Sequence, residues 1–151
     1  MRLFVDLDGV LADFDSGYAD MVGDKLRRPT GEVDWDRVKA VPHFFYRLNH
    51  MPDMWRLWGY VKHFNPTIIT GTPPEIATAE DDKKGWVSDY FGPSVPVICC
   101  LSKDKSKYCN PGDILVDDWE KYKHLWERAG GTWITHVDAN TTIEQLKRCG
   151  F

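Results

Sequence analysis

The chain has 151 residues, room for one domain of ordinary size with a small insertion. Its hydrophobic share is 42%, with seven Trp, six Tyr and seven Phe, enough for a packed core and too much for a disordered chain. A formal net charge of −4 argues against a broad basic surface for a nucleic-acid backbone, whereas a small phosphorylated ligand needs only a few local cations.

The first predicted element is a strand over Arg2–Leu7, with apolar residues on both faces as in a buried parallel sheet. Met1-Arg2 runs straight into it, without the long apolar run of a signal peptide or a membrane span, so a cytoplasmic protein with no membrane partner is expected. The stretch from about Ser16 to Lys62 contains no convincing strand. It has helical patterns near Gly17–Leu26 and Pro52–His63, with breaks at Arg28-Pro29-Thr30-Gly31 and Val41-Pro42, and reads as a helical insertion. Trp35, Phe44, Phe45, Tyr46, Trp55 and Trp58 concentrate in it.

Beyond the break at Asn65-Pro66, strand and helix patterns alternate. Strands are predicted over Thr67–Thr70, Val95–Cys100, Ile114–Val116 and Trp133–Val137. Helices are predicted over Pro74–Tyr90, closed by Gly92-Pro93, and over Trp119–Ala129, closed by Gly130-Gly131. A last helix over Thr141–Cys149 has Thr141 or Thr142 as its N-cap and Gly150 after its end. This alternation implies an α/β fold, a parallel sheet with helices on both faces.

Four polar signals fall at the C-terminal ends of these strands or just beyond, where doubly wound sheets bind ligands. Asp6-Leu7-Asp8-Gly9-Val10 sets two carboxylates two residues apart, able to turn together toward the crevice. Thr70-Gly71 offers a hydroxyl and an accessible backbone N–H, both suited to phosphate oxygens. Lys105 follows the third predicted strand, and Asp117-Asp118 ends the fourth. Taken singly, an Asp-x-Asp is most often a turn and Lys103, Lys105 and Lys107 a solvated surface. Adjacent Asp residues are more informative, because like charges repel unless a cation compensates them. The four in this order have no simple structural explanation. The cysteines, Cys99, Cys100, Cys109 and Cys149, form no knuckle spacing, and a zinc set of Cys99, Cys109 and His124 is disfavoured against reduced, apolar thiols.

The four signals resemble the motifs of the haloacid dehalogenase-like superfamily: Asp6-x-Asp8-Gly9-Val10 the first, Thr70 the second, Lys105 the third and Asp117-Asp118 the fourth. The string from Asp6 to Phe14 is similar in particular to the 5′(3′)-deoxyribonucleotidase family. So are Phe44-Phe45-x-x-Leu48-x-x-Met51-Pro52 and Leu101-Ser102-Lys103-Asp104-Lys105. The chain departs from that family with Trp119 where Arg usually follows the Asp pair, and with a shorter insertion.

The resemblance implies a Rossmann-like sheet of order 3-2-1-4-5, a core of residues 1–15 and 64–151, and a small helical cap over 16–63. It implies a Mg²⁺-dependent phosphatase. Asp6 would be the nucleophile and Asp8 the general acid and base. Asp6, the Asp8 carbonyl and Asp118 would hold the metal, with Asp117 supporting them or holding Lys105. Thr70, the Gly71 N–H and Lys105 would bind phosphoryl oxygens, Lys105 rather than Lys103 resting on family spacing alone. Phe44 and Phe45 would stack on a nucleobase, the substrate being a nucleoside monophosphate. Rival readings are a phosphatase of sugar phosphates, a receiver-like signalling module and a polynucleotide-end phosphatase. The Asp-x-Asp on the first strand counts against the receiver, and the negative charge against the polynucleotide.

Overall fold

The computed structural model describes residues 1–23 and 32–151. Among the described residues, five short strands pair in parallel: β1 (Leu3–Val5), β2 (Thr67–Gly71), β3 (Val97–Cys100), β4 (Ile114–Asp117) and β5 (Thr132–Thr135). Their order is β3-β2-β1-β4-β5, the expected 3-2-1-4-5 arrangement. The helices are α1 (Phe14–Val22), α2 (Trp35–Lys39), α3 (Met54–Val61), α4 (Ala79–Phe91), α5 (Lys123–Arg128) and α6 (Ala139–Arg148), with 3₁₀ turns over Ser102–Tyr108 and Glu120–Tyr122. The end of the helix expected over Gly17–Leu26 and the break at Arg28-Pro29-Thr30-Gly31 lie outside the described residues.

The sheet is buried on both sides because successive residues of its central strands feed two different cores. Leu3, Val5, Ile68, Ile114, Val116 and Ile134 join one apolar cluster, which also takes Tyr18 of α1, Leu57 of α3, Trp86 of α4 and Leu146 of α6. Phe4, Ile69 and Leu115 join a second cluster with Trp126 of α5. Phe4 and Trp126 meet edge to face at 5.4 Å. Burying each such large apolar side chain contributes roughly 1.5–3 kcal/mol.

Element ends differ from the sequence expectation where side chains compete for backbone groups. β1 stops at Val5 because the chain turns immediately: the Leu7 carbonyl accepts from the N–H groups of Val10, Leu11 and Ala12. α6 begins at Ala139, two residues before the predicted start, because Asp138 rather than Thr141 or Thr142 is its N-cap; the Asp138 carboxylate accepts from Thr141 N–H at 2.8 Å. α4 begins at Ala79, since Pro73 and Pro74 open a turn instead of a helix.

Several contacts tie the segment between β1 and β2 to the rest. Ala139 N–H donates to Asp53 Oδ2 at 2.7 Å, and Tyr60 O–H donates to the Phe151 carbonyl at 2.7 Å, so α3 lies against α6. His43 meets Asp82 of α4 at 2.9 Å.

Candidate active site

The register of the sheet brings the polar signals together. Val5 of β1 pairs with Ile68 of β2 and with Val116 of β4, so the residues that follow, Asp6, Thr70 and Asp117, collect at the C-terminal edge of three adjacent strands. Asp6 N–H donates to the Val116 carbonyl at 2.9 Å, extending the β1–β4 pairing by one residue and fixing where its carboxylate starts. Leu7 is buried and anchors the turn, and Asp6 and Asp8 flank it.

Close approach at this edge demands two glycines. Gly9 has φ +81°, and a Cβ there would lie 2.0 Å from Asp118 Oδ2. A Cβ on Gly71 would lie 2.0 Å from Ser102 Oγ, so Gly71 lets β2 pass against the loop that carries Lys105.

Lys105 is the charge at the centre. Its Nζ donates to Asp6 Oδ1 at 2.9 Å and to Asp117 Oδ2 at 2.8 Å. Burial works against this ammonium, but Asp6 and Asp117 outweigh it and hold its pKa above the usual lysine value. Lys103 is exposed and also lines the cavity; the buried lysine bonded to Asp6 is Lys105. Burial, followed by the repulsion of Asp117, pushes Asp6 up to about 6 against the pull of Lys105. Burial likewise raises Asp8, with Lys83 opposing it.

Lys83 was not legible as a site residue. Its side chain is 1% exposed, and its Nζ donates to Asp8 Oδ2 at 2.8 Å, to Thr70 Oγ1 at 2.9 Å and to the Gly71 carbonyl at 2.7 Å. The ammonium also sits 4.4 Å from the centre of the Phe45 ring. A signal for it did exist. The buried residues of α4 are Ala79, Asp82, Lys83, Trp86 and Val87, a helical stripe in which two positions are charged. A charge on a buried stripe needs a partner, and Asp8 is the partner of Lys83.

The structure therefore brings Asp6, Asp8, Thr70, Gly71, Lys105, Asp117 and Asp118 to one edge. All but Thr70 line a cavity of about 740 Å³, and Thr70 lies fully buried beneath it, bonded to Lys83. Phe44 and Phe45 are not brought to the cavity. Each is 2% exposed, they meet edge to face at 5.2 Å, and both pack on Phe14 within the main core. The reason is their own hydrophobicity: both rings pack into the main apolar cluster.

A divalent cation fits the carboxylates. Asp6, Asp117 and Asp118 each present an oxygen, all within 4.8 Å of one another. Lys83 is paired with Asp8, and Lys105 with both Asp6 and Asp117, so carboxylates gather closely here and a bound cation would offset their mutual repulsion. Burial is the first cause of the raised Asp6 and the repulsion of Asp117 the second, and a cation would relieve the second.

No protein-family model matches the chain. In sequence it is 28% identical over 120 residues to a protein of Vibrio phage KVP40 named "Putative 5′(3′)-deoxyribonucleotidase". That match takes in 79% of the chain and 66% of the relative, so the chain spans just under two thirds of the relative's length. In structure it is similar to L-2-haloacid dehalogenase from Xanthobacter autotrophicus with chloropropionic acid covalently bound, at a TM-score of 0.53 and 9% identity over 97% of this chain and 82% of that one. This chain has the haloacid dehalogenase-like fold. A second protein of the same fold, a HAD family hydrolase from Deinococcus radiodurans R1 with bound phosphate and sodium, matches at a TM-score of 0.50 and 13% identity over 99% and 87% of the two chains. Both comparisons bear out the resemblance drawn from the motifs. Among the described residues, no helix is long and apolar enough to cross a membrane.

Proposed function

We propose that this protein is a Mg²⁺-dependent phosphomonoesterase that acts on nucleoside monophosphates through an aspartyl-phosphate on Asp6. The observation that carries the reading is Asp6 itself: a carboxylate held at a strand end by Lys105, facing a cavity, with Asp8 two residues on. The phosphate bound by the Deinococcus hydrolase and the name of the phage relative support it. In this reading residues 16–63 cap a core of 1–15 and 64–151.

The chemistry follows from the side chains. A carboxylate oxygen of Asp6 attacks phosphorus while the bond to the ester oxygen breaks. Asp8 gives its proton to that oxygen, and burial, which raises its pKa against the pull of Lys83, favours the protonated form this step needs. Asp8 then accepts a proton from the water that hydrolyses the acyl phosphate. Its Oδ1 is buried without a hydrogen-bond partner among the described residues, and a proton shared with the leaving oxygen would satisfy it. Lys105 and the Gly71 N–H offset phosphoryl charge, and Lys83 orients Asp8. Asp6, Asp117 and Asp118 would hold Mg²⁺, which supplies charge neutralisation and orients a phosphoryl oxygen.

A phosphate-release screen over nucleoside monophosphates and sugar phosphates with Mg²⁺ tests the proposal directly. Release from deoxynucleotides such as dUMP is expected to lead. Release led by ribose 5-phosphate would move the substrate to the sugar phosphates, and no release from any ester would end the reading. Within the site, Lys83→Met is expected to lower kcat/KM by about 100-fold, the low end of what general acid catalysis supplies. Added to Asp8→Asn it should cost little more, since both changes remove one interaction. Full additivity in that cycle would separate Lys83 from Asp8.

A further inference from the structure

With Phe44 and Phe45 in the core, the cavity still has an aromatic wall, on the loop after β4. The large aromatic side chains most exposed among the described residues are Tyr46, Trp55, Tyr108 and Trp119. Of these, Trp119 alone lines the cavity, at 46% exposure, and Tyr122 lines it one turn further on. The two rings meet edge to face at 5.7 Å, and Lys121 Nζ lies 5.3 Å and 5.5 Å from their centres.

This wall is tied to the reacting groups by covalent and hydrogen bonds. Trp119 follows Asp118 directly, and its backbone N–H donates to Asp117 Oδ1 at 3.0 Å. The other oxygen of Asp117 accepts from Lys105, which also holds Asp6. The backbone of Trp119 is thus anchored to the same carboxylate that Lys105 links to Asp6. A cavity of about 740 Å³ is far larger than a phosphate group and lies within the range of small-molecule sites, roughly 300–1,000 Å³. The space beyond the phosphate must take the leaving group, and this side of the cavity offers it two aromatic rings with the Lys121 ammonium beside them.

We propose that Trp119 and Tyr122 form the stacking wall for the leaving group, and that this wall selects a planar heterocycle, the nucleobase of a nucleoside monophosphate. The inference rests on the phosphomonoesterase reading for what is bound at Asp6. It assigns base recognition to the loop after the Asp pair, where the deoxyribonucleotidase pattern has Arg, and not to the insertion. Rings of Trp and Tyr stack on any base face, so the selection is for a base over a bare sugar phosphate and is weak among bases.

The test is calorimetric binding of dUMP and of ribose 5-phosphate with Mg²⁺, in Asp8→Asn protein so that turnover does not interfere. The ratio of the two dissociation constants should favour dUMP by about 5- to 150-fold, the value of stacking one base. Trp119→Ala should lower that ratio by about tenfold, Tyr122→Ala by less, and Trp119→Phe should retain most of it. Trp55→Ala, an exposed tryptophan outside the cavity, should leave it unchanged. A ratio near one in the parent protein, or a ratio untouched by both alanine variants, overturns the wall. A ratio that Trp119→Phe lowers as much as Trp119→Ala would make the residue a loop support, also against the proposal. Turnover separates this outcome from the parent reading. If the unmodified protein hydrolyses esters without favouring dUMP, the phosphomonoesterase stands and the wall falls. If it hydrolyses none while dUMP binding still depends on Trp119, the wall stands and the esterase falls.

Discussion

Asp6→Asn is expected to reduce phosphate release by at least about 1,000-fold while the protein stays folded. An amide is a poor nucleophile, and nucleophilic catalysis is worth several kcal/mol. Asn keeps the shape of Asp, and its side-chain oxygen can still accept from Lys105, which retains Asp117 as an ionic partner. The variant also removes one of the mutually repelling carboxylates, so its melting temperature should be no lower than that of the parent by more than a few degrees. Steady-state rates and a thermal melt check both statements. Acid quenching during turnover should trap a phosphorylated protein from the parent and none from the variant. A residual rate above roughly a tenth of the parent's would exclude Asp6 as the nucleophile, because general acid catalysis and charge stabilisation alone do not compensate for losing the covalent step.

Removing divalent cations should be nearly as damaging. In excess EDTA, kcat/KM is expected to fall by about 1,000-fold or more, and added Mg²⁺ should restore it. The motive is the charge balance at the sheet edge: Asp6, Asp117 and Asp118 converge within 4.8 Å, and Lys105 bonds two of them. A readout independent of turnover is available. Binding that favours the native state stabilises it, by about 2.7 kcal/mol at a hundred times the dissociation constant. Mg²⁺ should therefore raise the melting temperature of the parent, and Asp118→Asn should blunt that rise. Full turnover in excess chelator would rule out a metal-assisted reaction.

The sequence by itself determined the sheet and the edge at which its polar residues gather. Apolar runs such as Leu3–Val5 and Ile114–Val116 carry no polar residue on either face, the pattern of a strand covered on both sides, and their alternation with helical patterns makes the sheet parallel. Strands alternating with helices then allow few topologies, and Asp6, Thr70 and Asp117 had to gather because each ends a strand on the same side. These are local signals, readable within a few residues. What only the tertiary structure decided is which side chains share a space. Phe44 and Phe45 are buried because Phe14, far off in sequence, needs covering, and hydrophobicity alone does not distinguish a core ring from a substrate-facing one. Lys83 reads as one charge in a polar helix, Glu80-Asp81-Asp82-Lys83-Lys84, until α4 is packed and its stripe turned to Asp8. Trp119 reads as the start of a helix, yet Asp117 holds its backbone and its ring is left at the cavity. Periodicity reports that a face will be buried. The partner that buries it is set by loop closure and packing across the whole chain, and the site residues whose position depends on such a partner became visible only in three dimensions.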